Sequence, residues 1–265
     1  MPDGTDSCIP DDLGHYANGR RRQLLRRLLA DRLAVQIDAY TWRRYSLIRP
    51  FLPRGPLRAL NIGTGGGVET LRLLRLGNFV TSIDVDPQAA RRTRARAERW
   101  GMAHRHVGLV DHVLSADLDE TFNVVLMSEV LEHIEQDAAA LERVARWLIP
   151  GGRLVLSTPT ASYGMLPGDT LSAHEDGGHV RPGYDGPELD AMLARLGLTT
   201  VQRIYNCGRL VCWQYRLERR LRQSHATRLP GILFGLASRP WVTVLDQLCH
   251  RPSDQITIAT KLSRC

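Results

Sequence analysis

Between residues 57 and 206, short apolar runs alternate with stretches whose apolar positions recur every three or four residues. The first pattern reads as buried strand and the second as amphipathic helix, so their alternation predicts successive βα units around a parallel sheet. Strands are expected at residues 57–63, 79–84, 123–128, 153–157 and 199–205, with a weaker one near 105–110. Helices are expected at 68–76, 87–100, 128–148 and 187–196. Pro87 suits a first helical turn, and Gly151 with Gly152 after Pro150 suits the stop of the fourth helix.

The flanks follow the same logic. Leu24, Leu25, Leu28, Leu29 and Leu33 fall on one face of an amphipathic helix over residues 20–33, with arginines on the others. Residues 210–223 and 240–249 read as helices, the second placing Trp241, Val244, Leu245 and Leu248 on one face. Residues 255–262 alternate like a last strand and are expected to enter the sheet beside the sixth. The expected architecture is α/β, a Rossmann-like, seven-stranded, mostly parallel sheet with flanking helices. It comprises an N-terminal helical cap (1–55), the core (56–208), a basic helical insertion (209–252) and a terminal strand (253–265).

Composition leaves this picture intact. Hydrophobic residues make up 43% and charged residues 24% of 265, the balance of a globular chain rather than a disordered or fibrous one. The acidic start MPDGTDSCIPDDLGHY lacks the basic-then-apolar order of a signal peptide, and no apolar run reaches spanning length, so a cytoplasmic location is expected. Five scattered cysteines without CxxC spacing suggest reduced thiols rather than disulfides or a zinc site. The net charge of +7 comes almost wholly from arginine, since Lys261 is the only lysine. It permits contact with phosphate-bearing partners, and its plainer meaning is a solvated basic surface.

The strongest local signal is Asn61-Ile-Gly-Thr-Gly-Gly-Gly67, a glycine turn between a strand and a helix. Glycines there let a ligand approach the backbone, and the helix start offers unpaired amides. Asp84 ends the next strand about twenty residues on, where a carboxylate can accept both ribose hydroxyls. Together they point to an adenosine site, which a dinucleotide enzyme would share. Against an NAD-dependent dehydrogenase, Gly63, Gly65 and Gly67 depart from GxGxxG.

With LNIGTGGG, VTSIDVDP, FNVVLMSEVLEHI and LIPGGRLVLSTPT in order, residues 57–206 resemble the class I S-adenosylmethionine-dependent methyltransferases, most closely the ubiquinone-biosynthesis O-methyltransferase type. The resemblance implies S-adenosyl-L-methionine as cofactor. Gly63 and Gly65 would lie beneath its methionine part, Asp84 at the ribose and Asp111 near the adenine amino group, with Ser128 facing it. Asn61 and Asn123 depart from the family's usual acidic residues. Asn61 keeps an amide oxygen for the cofactor's ammonium group.

Glu129, Glu132 and His133, at i, i+3 and i+4, are expected on one helix face. In the ubiquinone type and in small-RNA 2′-O-methyltransferases, a similar Glu-x-x-Glu-His segment holds a divalent metal. Magnesium, manganese or zinc would suit it, but a Glu–His pair without metal is the reading kept here. The polar loop over 158–184 is expected to meet the acceptor, with Tyr163, His174, Glu175, Asp176, His179 and Arg181 as its candidates. His133 or His179 is the expected base.

The function expected is O-methylation of a small-molecule, glycan or lipid-linked acceptor. The arginines of 209–252 admit a peripheral membrane contact. Nucleic acid is not expected, since no RNA-binding module accompanies the core. An RNA methyltransferase and a non-catalytic scaffold are the alternatives.

Overall fold

The structure, a computed structural model, describes residues 38–161, 170–206, 208–223, 226–247 and 252–262. The amphipathic helix expected at 20–33, and Tyr163, lie outside these residues. The first described helix is α1 (Ala39–Ile48), whose N-terminus is capped by Asp38 accepting from the Thr41 amide at 2.7 Å.

Six strands and four helices follow, alternating except that β3 leads to β4 without an α-helix: β1 (Arg58–Ile62), α2 (Val68–Arg75), β2 (Phe79–Asp84), α3 (Pro87–Arg99), β3 (His106–Val110), β4 (Phe122–Ser128), α4 (Asp137–Trp147), β5 (Leu148–Pro159), α5 (Gly186–Arg195) and β6 (Leu198–Asn206). A helical pair, α6 (Arg209–Gln223) and α7 (Arg228–Gln247), precedes β7 (Asp254–Lys261). Among the described residues these strands make one seven-stranded sheet in the order β3-β2-β1-β4-β5-β7-β6. All neighbours are parallel except β7, which runs antiparallel between β5 and β6.

Alternate residues of each central strand feed opposite faces, as the period of two requires. Leu60, Val125, Met127 and Leu156 pack under Leu141 and Val144 of α4 and Leu189 and Leu193 of α5. Ala59, Val124, Leu126 and Val155 pack against Leu73 and Leu74 of α2, Ala97 of α3 and Ile48 of α1. With both faces covered, the strands' carboxyl ends become the open rim where a ligand can sit.

Two helix expectations need correction. Residues 128–148 are not one helix. Ser128 ends β4, Glu129 takes a left-handed φ of 54°, Leu131–His133 form a 3₁₀ turn, and α4 begins only at Asp137. Leu131 and Ile134 imitate helical spacing because both are buried in the core from that turn. Glu129, Glu132 and His133 therefore do not share a helix face. The helix expected at 240–249 instead continues one running from Arg228, with Pro240 inside it, and its Trp241 and Val244 face solvent rather than the core.

Candidate active site

Three glycines shape the turn after β1. Gly63 sits at φ 76°, and a Cβ there would lie 2.2 Å from Cγ2 of Val130, so the backbone passes tight against the next loop. Gly65, at φ 45°, would present a Cβ to open space with nothing within 4 Å. The first glycine is dictated by protein packing, while the second borders room for a ligand.

Asp84, at the end of β2, ties this turn shut. Its Oδ2 accepts from the Thr64 amide at 2.7 Å, the Thr64 hydroxyl at 2.8 Å and the Gly65 amide at 2.9 Å. Its Oδ1 accepts from the Asp86 amide at 2.9 Å. This residue, expected at the ribose, thus also builds the loop. Asp111 follows β3 and donates its amide to the Asp84 carbonyl at 3.2 Å. Its Oδ1 accepts from the Ser115 hydroxyl and the His112 amide, and these bonds, the first above all, lower its pKa.

Beside the glycine turn, two polar atoms matter for a ligand. Asn61 is buried and donates Nδ2 to Thr70 Oγ1 at 2.8 Å, while its Oδ1 has no partner among the described residues. Ser128 Oγ is likewise buried and unpartnered. A buried acceptor left unpaired is costly, and an ammonium-bearing nucleoside over the open face of Gly65 would satisfy it. The residues present thus fit the expected cofactor.

Beyond β4, Glu129 turns away from its neighbours in sequence. Its Oε1 accepts from Ser157 at 2.7 Å, and its Oε2 lies 3.3 Å from Arg44 of α1. Arg44 also stands 3.7 Å from Asp254, whose Oδ1 accepts from the Tyr40 hydroxyl at 2.5 Å. Burial alone would lower the Arg44 pKa, but Glu129 and Asp254 outweigh it and hold the guanidinium charged. Burial, then the Glu129 charge, pushes Asp254 up to about 8.

Glu132 is fully buried, and neither carboxyl oxygen is hydrogen-bonded among the described residues. Burial first, and Glu129 next, drive its pKa well above the usual carboxylate range. His133 Nδ1 is 2.8 Å from the Gly178 carbonyl. A carbonyl only accepts, so Nδ1 carries the proton and the neutral ring's Nε2 is left with a lone pair. That Nε2 is 3.9 Å from Glu132 Oε1. The rings of His133 and His179 meet edge to face at 4.7 Å.

The loop ending at Tyr184 is pinned against this segment. Val180 donates its amide to the Glu132 carbonyl at 2.9 Å, and Arg181 pairs with Asp137 at 2.6 Å. Glu175 accepts from the Glu135 amide at 2.7 Å and lies 3.3 Å from His112 Nε2. Asp176 accepts from the Gly178 amide at 3.0 Å, whereas the largely exposed His174 lies 3.6 Å from Glu135. Of the described loop candidates, His179 alone joins Glu132 and His133, one ligand atom from each falling within 4.8 Å of the others. A carboxylate with two imidazoles suits a divalent transition metal, so these residues also fit the metal the resemblance implies. Arg44, Tyr40 and Asp254 were not anticipated. Their local sequence carries no motif, and only the fold brings them to the rim.

Residues 15–203 match a family described as a methyltransferase domain. The chain is 34% identical over 182 residues to a ubiquinone biosynthesis O-methyltransferase of Paramagnetospirillum magneticum, covering 62% of this chain and 67% of that one. Two further relatives of that name are spanned over only 37% and 47% of their lengths. Among solved structures, the [4+2]-cyclase SpnF superposes with a TM-score of 0.60 at 19% identity, covering 84% of this chain and 82% of that one. The N-methyltransferase NodS of Bradyrhizobium japonicum, in complex with S-adenosyl-L-homocysteine, gives 0.55 at 20%, covering 84% and 88%. These structures share the fold, and their different reactions warn that fold alone does not choose an acceptor. The chain belongs to the methyltransferase-domain family, the class I S-adenosylmethionine-dependent methyltransferases.

Proposed function

We propose that the protein O-methylates a small-molecule, glycan or lipid-linked hydroxyl acceptor, with His133 as the base. The observation that carries this reading is the Gly178 carbonyl on Nδ1, which leaves Nε2 basic beside His179 at the strand rim. The homologue's name, an O-methyltransferase, supports a hydroxyl acceptor.

S-adenosylmethionine supplies an electrophilic methyl group on a sulfonium. Asn61 Oδ1 would accept from its ammonium group and Ser128 Oγ would bond its amino-acid end, Gly65 would give it close backbone approach in the turn that Gly63 shapes, and Asp84 and Asp111 would take the ribose and adenine. His133 Nε2 would take the acceptor's hydroxyl proton. The cofactor would supply the methyl group to that oxygen and leave as S-adenosylhomocysteine, giving a methyl ether. The pinned loop 170–184 excludes water and aligns the acceptor, the larger part of the rate gain in such displacements.

A second reading has Glu132, His133 and His179 hold a divalent ion that lowers the acceptor hydroxyl's pKa, favoured by Glu132's unpartnered oxygens. Methyl transfer from labelled cofactor into quinol, sugar and lipid-linked acceptors tests the proposal. A product methylated at nitrogen or carbon would overturn it. Chelation followed by metal restoration separates the two readings.

A further inference from the structure

The helical pair α6 and α7 plays no part in the site, yet it carries the most unusual surface of the described chain. The two helices run antiparallel in a fixed register. Gln214 donates to Ser238 at 2.8 Å, Val211 packs with Val242, and a Cβ on Gly235 would strike Glu218. The pair's inner side is therefore accounted for. Its outer side is not. Along α7, Leu229, Leu233, Trp241 and Val244 follow helical spacing and are each more than half exposed. Leu210 and Trp213 of α6 are 49% and 63% exposed, and the register sets them level with the Trp241 end of α7. A stripe of this length on a soluble helix has a partner.

Charge indicates which. Residues 209–247 hold seven arginines against two acids, Glu218 and Asp246, a net of +5 within a chain of +7. Glu218 is buried and bonded to Arg222 at 2.5 Å, so it neutralises little of the outer surface. Arg220 and Arg228 are exposed beside the stripe. Exposed tryptophan and leucine flanked by arginine is the composition of helices that lie in a bilayer interface, with rings at headgroup depth and cations on anionic lipid. No helix among the described residues is long and apolar enough to cross a membrane.

The placement of the pair adds a directional argument. Asn206, the last residue of β6, pairs with Asp254, the first of β7, and Asp254 pairs with Pro159 at the end of β5. Both roots of the helical pair thus spring from the sheet end that carries Gly63, Ser128 and Glu129. We propose that the outer face of α6 and α7 docks on an anionic phospholipid surface. Docked so, the root end with Trp213 and Trp241 sets the rim of the site toward the lipid. Resting on the proposed methyl transfer, this would make the acceptor membrane-borne.

Flotation of the full-length protein with phosphatidylcholine vesicles, with and without phosphatidylglycerol, tests the docking without reference to catalysis. The wild type should float with the anionic vesicles at low salt and remain behind with the neutral ones. The Trp213→Ser, Trp241→Ser variant should stay at the bottom. Each of Arg220→Gln and Arg228→Gln should lower partitioning about fivefold, with unaltered circular dichroism and cofactor affinity. A wild type that floats with neither vesicle would overturn the proposal. Equal flotation of wild type and the tryptophan variant would overturn it too. Failure of methyl transfer, with flotation intact, would count against the acceptor chemistry alone.

Discussion

His133 and His179 stand ring edge to ring face, their centroids 4.7 Å apart and their planes at 88°. The contact joins the 3₁₀ turn after β4 to the loop after β5, and the Gly178 carbonyl on His133 Nδ1 fixes the tautomer across it.

His133→Ala should lower turnover about a hundredfold or more, the scale of a lost general base, while cofactor affinity stays nearly constant. Calorimetry beside a steady-state assay reads both. A purely structural imidazole would instead lower the melting temperature and spare the turnover of the folded fraction.

Asp84→Ala should weaken cofactor binding by about 1.5 to 3 kcal/mol, roughly tenfold or more in affinity. Because Oδ2 also holds Thr64 and Gly65, the variant should additionally loosen the turn, visible as faster amide exchange at those residues. Thr64→Val removes one of these bonds and leaves the carboxylate, so it should lose much less affinity. Equal losses in the two variants would assign Asp84 a loop-building role only.

Gly63 and Gly65 should answer differently to alanine. At Gly63 the new methyl meets Val130 at 2.2 Å, so the fold itself suffers. At Gly65 nothing stands within 4 Å, and only left-handed strain of about 1 to 2 kcal/mol falls on the free protein. A Gly65→Ala protein that melts a few degrees low yet binds cofactor normally would remove the ligand from that face.

The contrast between these glycines and Arg44 explains what the chain disclosed on reading. A turn such as Asn61–Gly67 is local, and its φ demands select glycine visibly. Asp84 was legible because a fixed strand length separates it from that turn. The tautomer of His133 was not, since it depends on a carbonyl 45 positions away. The Tyr40–Asp254 bond spans 214 positions, and β7 must insert between β5 and β6 before it can form. The helix expected across 128–148 failed for a related reason. Leu131 and Ile134 obey the core's demand, while Glu129 takes a conformation most side chains avoid in order to reach Ser157 and Arg44.

Arg44→Leu should cost about 3 kcal/mol, the low end for breaking a buried pair, because it leaves the Glu129 carboxylate, 20% exposed, without its cation. Chemical denaturation near neutral pH measures this directly.

Asp254 gives the molecule a pH dependence whose sign runs against that of ordinary surface carboxylates. Its folded pKa is raised to about 8 by burial and by Glu129, whereas an unfolded aspartate titrates near about 4. Between these values the folded chain binds the proton that the unfolded chain has released, so this group's contribution to stability falls as pH rises from about 4 to 8 and levels off above. Glu132, whose pKa is also raised by burial, acts in the same direction. Asp254→Asn keeps an acceptor for the Tyr40 hydroxyl but removes the titration. Its melting temperature should therefore fall less steeply than the wild type's across that window, the slope left over belonging to Glu132 and to Glu69, whose pKa burial also raises. Parallel melting curves for the two proteins from pH 4 to pH 9 would mean that Asp254 is ionised throughout, held so by Arg44.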